Sequence, residues 1–235
     1  MGGGLSSCNG SVRDNLIGAN WAKLGGGGAY RCNGTLVQNI LVGNQGGKGG
    51  AIYVGYSGSP TLVNCTFQGN SATHGGALYV LDGSPTLRNC ILWGDAPYEV
   101  YVSSGSVTAS YCDVGGGWPG TGNIDADPCF ADPNNGDYHL KSHAGRWDAN
   151  EGGWTTDDVT SPCIDAGDPM SLIGLEPFPN GGIINMGAYG GTPEASKSYF
   201  GEPLCKVIVA GDVNGDCRVD FLDFQIMALH WMWQE

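Results

Sequence analysis

The sequence predicts an all-β solenoid of stacked parallel strands, and three observations carry that expectation. The stretch from Gly49 to Glu99 is nearly one phrase written twice, GGAIYVGYSGSPTLVNCTFQGNSATH followed by GGALYVLDGSPTLRNCILWGDAPYE. Self-similarity at a fixed period of about 25 residues means that each copy is one structural turn, which buries its apolar face only by stacking on the next. Asparagines keep the same period: Asn15, Asn39, Asn64 and Asn89 are 24, 25 and 25 residues apart, and Asn20, Asn44, Asn70 and Asp95 are 24, 26 and 25 apart. Short apolar runs, bends rich in Gly and Asn, and no helical periodicity over residues 2–122 exclude a helical or leucine-rich repeat.

The composition agrees. Of 235 residues 42 are glycine, yet there is no Gly-X-Y period and 41% of the chain is hydrophobic, so the glycines read as turn residues and not as collagen or disorder. Ten basic against 23 acidic residues give a formal charge of −13, which repels nucleic acid and anionic membranes and makes a divalent cation the better charged partner. No apolar run reaches the length of a membrane span, and the first residues lack the basic start and apolar core of a signal peptide. Nine cysteines suggest an oxidising compartment.

Taken in order, the rungs of residues 1–122 share one register. Leu36, Leu62 and Leu87 form one inward row, Leu41, Phe67 and Leu92 another, and Ile52, Leu78 and Val100 a third. Strand alternation turns Arg31, Tyr53, Tyr79 and Tyr101 outward as a column. The asparagine columns suit bends, because Asn tolerates left-handed backbone and its amide bonds to the amides above and below. Cys65, Cys90 and Cys112 share one register and Cys8 and Cys32 another. Stacked cysteines have parallel Cβ vectors, which is poor disulfide geometry, so the first set reads as buried free thiols.

The GGAIY…SPTLxNCxFxGN pattern resembles the right-handed parallel β-helix proteins, the pectate-lyase-like solenoids that recur in secreted and surface-anchored bacterial proteins. The resemblance implies that fold over roughly residues 2–122 and is nearly silent about activity, since the fold carries lyases, hydrolases, adhesins and inert stalks alike. From Asn123 to Phe200 the repeat dissolves into segments that resemble the terminal coils closing such β-helices, so residues 123–203 are expected to form an irregular C-terminal cap. Cys129 and Cys163 lie outside any ladder and are candidates for a disulfide. No cap is visible at the other end, which suggests a fragment or an end that stacks on another chain.

Residues 204–235 carry a different signal. Asp212, Asn214, Asp216, Asp220 and Asp223 fall at positions 1, 3, 5, 9 and 12 of a twelve-residue loop, with the Arg218 carbonyl at position 7, which is the oxygen spacing of a calcium loop. Phe224, Met227, Ala228 and Trp231 then recur at helical spacing. Loop plus helix resembles one dockerin repeat, the calcium module that docks secreted enzymes onto cohesin receptors. Dockerins carry two repeats and small hydroxyl residues where Phe221 and Leu222 stand here, so calcium binding survives the comparison better than cohesin binding. Cys217 replaces the expected glycine, and Cys205 is its candidate disulfide partner. The half-module could pack on the solenoid end through Phe221, Met227, Trp231 and Trp233.

Lyases of this fold, as the resemblance implies, set a base beside acidic calcium ligands on the outer face. Lys48, His74 and Glu99, spaced 26 and 25, are the best such column, although a solvated polar corner explains it as well. His139, His143 and His230 have no metal spacing, and no nucleophile elbow or phosphate loop exists. Trp118, Trp147 and Trp154 lie in loop-like segments and either stack on sugars or plug the cap. The sequence therefore favours a secreted or cell-surface β-helix scaffold, structural or adhesive, with Tyr53, Tyr79 and Tyr101 as the carbohydrate-contacting surface and calcium as cofactor. The competing expectations are a polysaccharide lyase or glycoside hydrolase, and a surface protein assembled by end-to-end stacking with another copy of the solenoid.

Overall fold

A computed structural model describes residues 2–199, 211 and 219–231, and between residues 2 and 114 it is a parallel β-solenoid. Strands Leu5–Ser6, Ala29–Tyr30, Ile52–Val54, Leu78–Val80 and Val100–Val102 stack as the first sheet. Ser11–Arg13, Thr35–Val37, Thr61–Val63, Thr86–Arg88 and Thr108–Ser110 form the second, and Leu16–Gly18, Ile40–Val42, Thr66–Gln68, Ile91–Trp93 and Asp113–Val114 the third. The three apolar rows are those expected: Leu36, Leu62 and Leu87 pair in register, as do Leu41, Phe67 and Leu92, and Ile52, Leu78 and Val100. All but Val100 are buried in one continuous core, each contributing about 1.5–3 kcal/mol by its removal from water.

Strands this short turn because each corner holds a residue in the left-handed region. Asp14, Gln38, Asn64, Asn89 and Tyr111 have positive φ between the second and third sheets, and Ala19, Gly43, Gly69 and Gly94 have it after the third. The residue that follows points inward and accepts the backbone N–H of the rung before it. After the third sheet that residue is asparagine: Asn20 N–H reaches Asn44 Oδ1 at 3.1 Å, Asn44 reaches Asn70 at 2.9 Å, and Asn70 reaches Asp95 Oδ1.

The other asparagine column is two columns. Thr61 pairs with Thr35 and Thr66 with Ile40, so a one-residue insertion sets Asn64 beside Gln38, not Asn39. Asn39 is continued inward by Cys65, Cys90 and Cys112, whose sulfurs take over the acceptor role: Cys65 N–H points at Cys90 Sγ (3.5 Å) and Cys90 N–H at Cys112 Sγ (3.4 Å). All three are free thiols, as expected, and Cys8 N–H uses Cys32 Sγ in the same way. Register also moves the outward aromatic column: Tyr30, not Arg31, stands beside Tyr53.

Closure of the solenoid is divided between two segments. Trp118 packs against the last core rung, Asn123 Oδ1 accepts Cys112 N–H, and Ile124 bridges Asp113, so the coil after residue 114 covers the end. The rest of the cap lies along the side. Two antiparallel pairs, Phe130–Asp132 with Asp137–Leu140 and Arg146–Asp148 with Gly153–Thr155, precede a strap running to residue 198. Phe130, Tyr138, Leu140, Ile164 and Met186 make a second core on the outward face of the third sheet around Ile91. The displaced asparagines hold this strap: Asn64 Nδ2 donates to the carbonyls of Asn185 and Gly187, and Asn89 Oδ1 accepts Asp168 N–H.

Candidate functional site

The first-sheet face carries the tyrosine column, but with its ring faces occupied. Tyr30, Tyr53, Tyr79 and Tyr101 stack on one another at centroid distances of 5.0, 5.3 and 5.5 Å, and Tyr79 is only 2% exposed. Lys48 lies over Tyr79 with Nζ 3.3 Å from its hydroxyl, and His74 and Tyr98 cover Tyr101. Tyr53 and Tyr79 are thus not open stacking platforms. What reaches solvent on this face is Tyr56, with the Arg31 guanidinium 3.6 Å from its ring centroid, and Tyr98.

Lys48 and His74 sit on this face, but Glu99 leaves their column. Leu78 pairs with Val100, an offset of 22 residues, whereas Ser71 bridges Ala96 at an offset of 25. The corner is three residues shorter on this rung, which draws Glu99 inward beside Ala77. There its Oε1 accepts Asp95 N–H at 3.1 Å, in the place that the next asparagine would fill. Asp95 and Glu99 are both buried, and Asp95 Oδ2 and Glu99 Oε2 find no partner. Burial, reinforced by Glu99, pushes the Asp95 carboxyl well above its ordinary range, and burial raises Glu99 too. The base-plus-carboxylate column is therefore not assembled; its acid terminates the ladder.

A polar cluster that sequence spacing did not reveal lies in the cap. His139, in the strand Asp137–Leu140, is 2% exposed, places Nδ1 2.6 Å from Asp137 Oδ1, and stacks on Tyr189 at 3.6 Å. Its Nε2 has no hydrogen-bond partner and faces Glu194 Oε2 at 3.5 Å. Burial alone would raise Asp137, but the hydrogen bonds from His139 and the charge of Arg146 hold it below its ordinary range. Arg146 also pairs with Asp157 at 3.2 Å. Only the Asp137/His139 alternation within one strand hinted at this; Glu194 is more than fifty residues away in sequence. Trp147 and Trp154 face each other across the second antiparallel pair, with Lys197 3.9 Å over Trp154, so they serve the cap.

The Cys129–Cys163 disulfide is not formed. Both are free thiols, and Cys163 Sγ instead donates to Asp113 Oδ2 at 3.1 Å inside the second core. The calcium-loop positions Asp212, Asn214, Asp216 and Arg218, and the cysteines Cys205 and Cys217, lie outside the described residues. Of the loop, Asp220 and Asp223 are described: Asp220 N–H donates to Asp223 Oδ2 at 2.7 Å, which caps the start of the helix Phe221–Trp231. The helix is where its spacing predicts, and Phe221, Phe224 and Met227 are exposed.

Three parallel sheets, inward ladders and a lateral cap define a parallel β-helix protein. Comparison with known families agrees: residues 2–114 match the right-handed β-helix region, and residues 100–167 match a family described as disaggregatase related. No curated protein and no solved structure matches the chain.

Proposed function

We propose that the chain is an extracellular structural or adhesive β-helix scaffold working against carbohydrate, with a calcium-stabilised half-dockerin at its C-terminus. The observation that carries the scaffold reading is the fate of the repeat's polar side chains. They are consumed in ladders and strap contacts, and Glu99 turns inward away from Lys48 and His74. The disaggregatase-related match supports a carbohydrate-related or surface role, and Tyr56, Tyr98, Arg31 and Lys48 offer aromatic and cationic groups to a glycan on the first-sheet face. The expected result of an absorbance screen on pectate, alginate and glycosaminoglycans is no unsaturated uronate product, together with retention on at least one immobilised polysaccharide. Product formation that disappears in Lys48→Ala would replace the scaffold with a lyase.

The calcium reading rests on loop spacing and on the capped helix that follows it. Calorimetry should show one calcium site, lost in Asp212→Ala. Absence of binding by the parent, with the variant thermally identical to it, would sink this part of the proposal.

A further inference from the structure

Four Asn-Gly pairs lie among the described residues: Asn9-Gly10, Asn33-Gly34, Asn135-Gly136 and Asn180-Gly181. Such a pair carries a built-in reaction, because glycine has no Cβ to hinder its own backbone nitrogen from attacking the asparagine side chain. The attack needs the glycine N–H released and the side-chain amide free to swing. In three of the pairs both are held. Gly34, Gly136 and Gly181 donate their N–H groups to Cys8 O, Pro133 O and Asp165 Oδ1. Their asparagines are tied as well: Asn33 Oδ1 accepts Ser59 N–H, Asn135 Nδ2 donates to Asp132 Oδ2, and Asn180 Nδ2 donates to Glu176 O. Asn9-Gly10 differs on every count. Both residues are exposed, neither the Asn9 side chain nor the Gly10 N–H has a partner among the described residues, and a Cβ built on Gly10 would meet nothing within 4 Å.

We propose that Asn9 is a site of spontaneous deamidation, left open by the fold where the equivalent asparagines are closed. The Gly10 nitrogen bonds to Asn9 Cγ, and its proton passes through water to the side-chain amide, which departs as ammonia and leaves a succinimide ring. Water then opens the ring. Addition at Cγ gives aspartate and addition at the Asn9 backbone carbonyl gives isoaspartate, so the sum is amide plus water to acid plus ammonia, with no oxidant and no enzyme. Isoaspartate lengthens the main chain by a methylene, which the empty space at Gly10 accommodates. Asn9 and Arg31 line the same pocket of about 200 Å³, and no carboxylate pairs with Arg31 among the described residues, so the new acid meets an unpaired cation there.

Cys8-Asn9-Gly10-Ser11 and Cys32-Asn33-Gly34-Thr35 are almost the same peptide, so a difference between them isolates the effect of the fold. The full chain is aged at neutral pH in heavy-oxygen water and digested, and the acid formed at each Asn-Gly pair is measured by mass spectrometry. Each hydrogen bond that must open first slows the reaction about two- to tenfold, so Asn9 should convert about tenfold or more faster than Asn33 in the native protein. In urea the two rates should agree within about twofold. Gly10→Ala, whose methyl enters open space, should slow conversion at Asn9 and leave the urea midpoint unchanged. Equal native rates at Asn9 and Asn33, a difference that survives unfolding in urea, or an Asn9 rate unmoved in Gly10→Ala would each overturn the assignment.

Discussion

At a single corner, the sign of one backbone dihedral decides whether the chain can turn from one sheet into the next. Gly43, Gly69 and Gly94 occupy the left-handed region after the third sheet, and Ala19 occupies the same place on the first rung with φ of 54°. A Cβ built on Gly69, whose φ is 64°, would meet nothing within 4 Å, so substitution there isolates the backbone term from packing. An L-residue in this region is disfavoured by about 1–2 kcal/mol, offset in part by the unfolded-state entropy that glycine loses on folding, about 0.5–1 kcal/mol. Gly69→Ala should therefore destabilise by about 0.5–1 kcal/mol in urea unfolding, and Ala19→Gly should stabilise by a similar amount. Equal stability of Gly69→Ala and the parent would mean that the corner does not require left-handed backbone.

At the scale of one ladder, Asn20, Asn44, Asn70 and Asp95 behave as a unit that ends on a carboxylate where an amide would fit. Asn44 Nδ2 donates to Ile17 O and Asn70 Nδ2 to Leu41 O, so an amide at position 95 would point at the register-equivalent carbonyl of Phe67. Asp95 cannot donate there unless protonated, and its carboxyl is raised by burial and by Glu99. A raised acid stabilises the fold fully below its unfolded pKa and loses that contribution as pH rises through the folded value. Asp95→Asn should then exceed the parent by about 1–3 kcal/mol at pH 8 and lose that advantage near pH 4. A variant weaker than the parent at pH 8 would show that the carboxylate is preferred. The ladder was legible in sequence because identical residues at one period need no knowledge of a partner. The insertion between Asn39 and Cys65 was not, since a 25-residue asparagine spacing conceals a 26-residue register. For the same reason the spacing of Glu99 from Lys48 and His74 conceals the shortened corner that turns it inward. Asp137, His139 and Glu194 meet only through the strap, whose path follows no repeat, so no periodicity could announce them.

Over the whole molecule, buried acids hold the cap, Asp113 at its junction with the solenoid and Glu176 within the strap. Asp113 holds the Cys163 thiol and the Ala126 N–H, and burial raises its carboxyl to about 6. Glu176 Oε1 accepts the N–H groups of Asn185 and Gly191 at 2.8 Å each, its Oε2 is unpartnered, and burial raises it to about 7. Both folded values lie above the ordinary carboxylate range of about 3.9–4.3, so both contributions are complete below about pH 4 and are lost as pH rises through 6 and 7. Asp137 acts oppositely: its lowered carboxyl contributes above its unfolded value and fails as pH falls through the folded one. The surplus of 23 acidic over ten basic residues adds self-repulsion in the same direction as the two raised acids. Urea midpoints should therefore be highest near pH 4–5, decline to about pH 7, and flatten above it except for the further loss from Asp95. Because Glu176 ties residues 185 and 191 of the strap together and Asp113 anchors the cap, hydrogen exchange should show the strap around residues 185–191 losing protection before the sheets as pH rises, after correction for intrinsic exchange. Glu176→Gln should remove most of the decline between pH 6 and 8, since the amide keeps an acceptor for both N–H groups without a charge to bury. A midpoint that rises from pH 5 to pH 8, or a strap as protected as the sheets throughout, would show that these acids do not control how the cap is held.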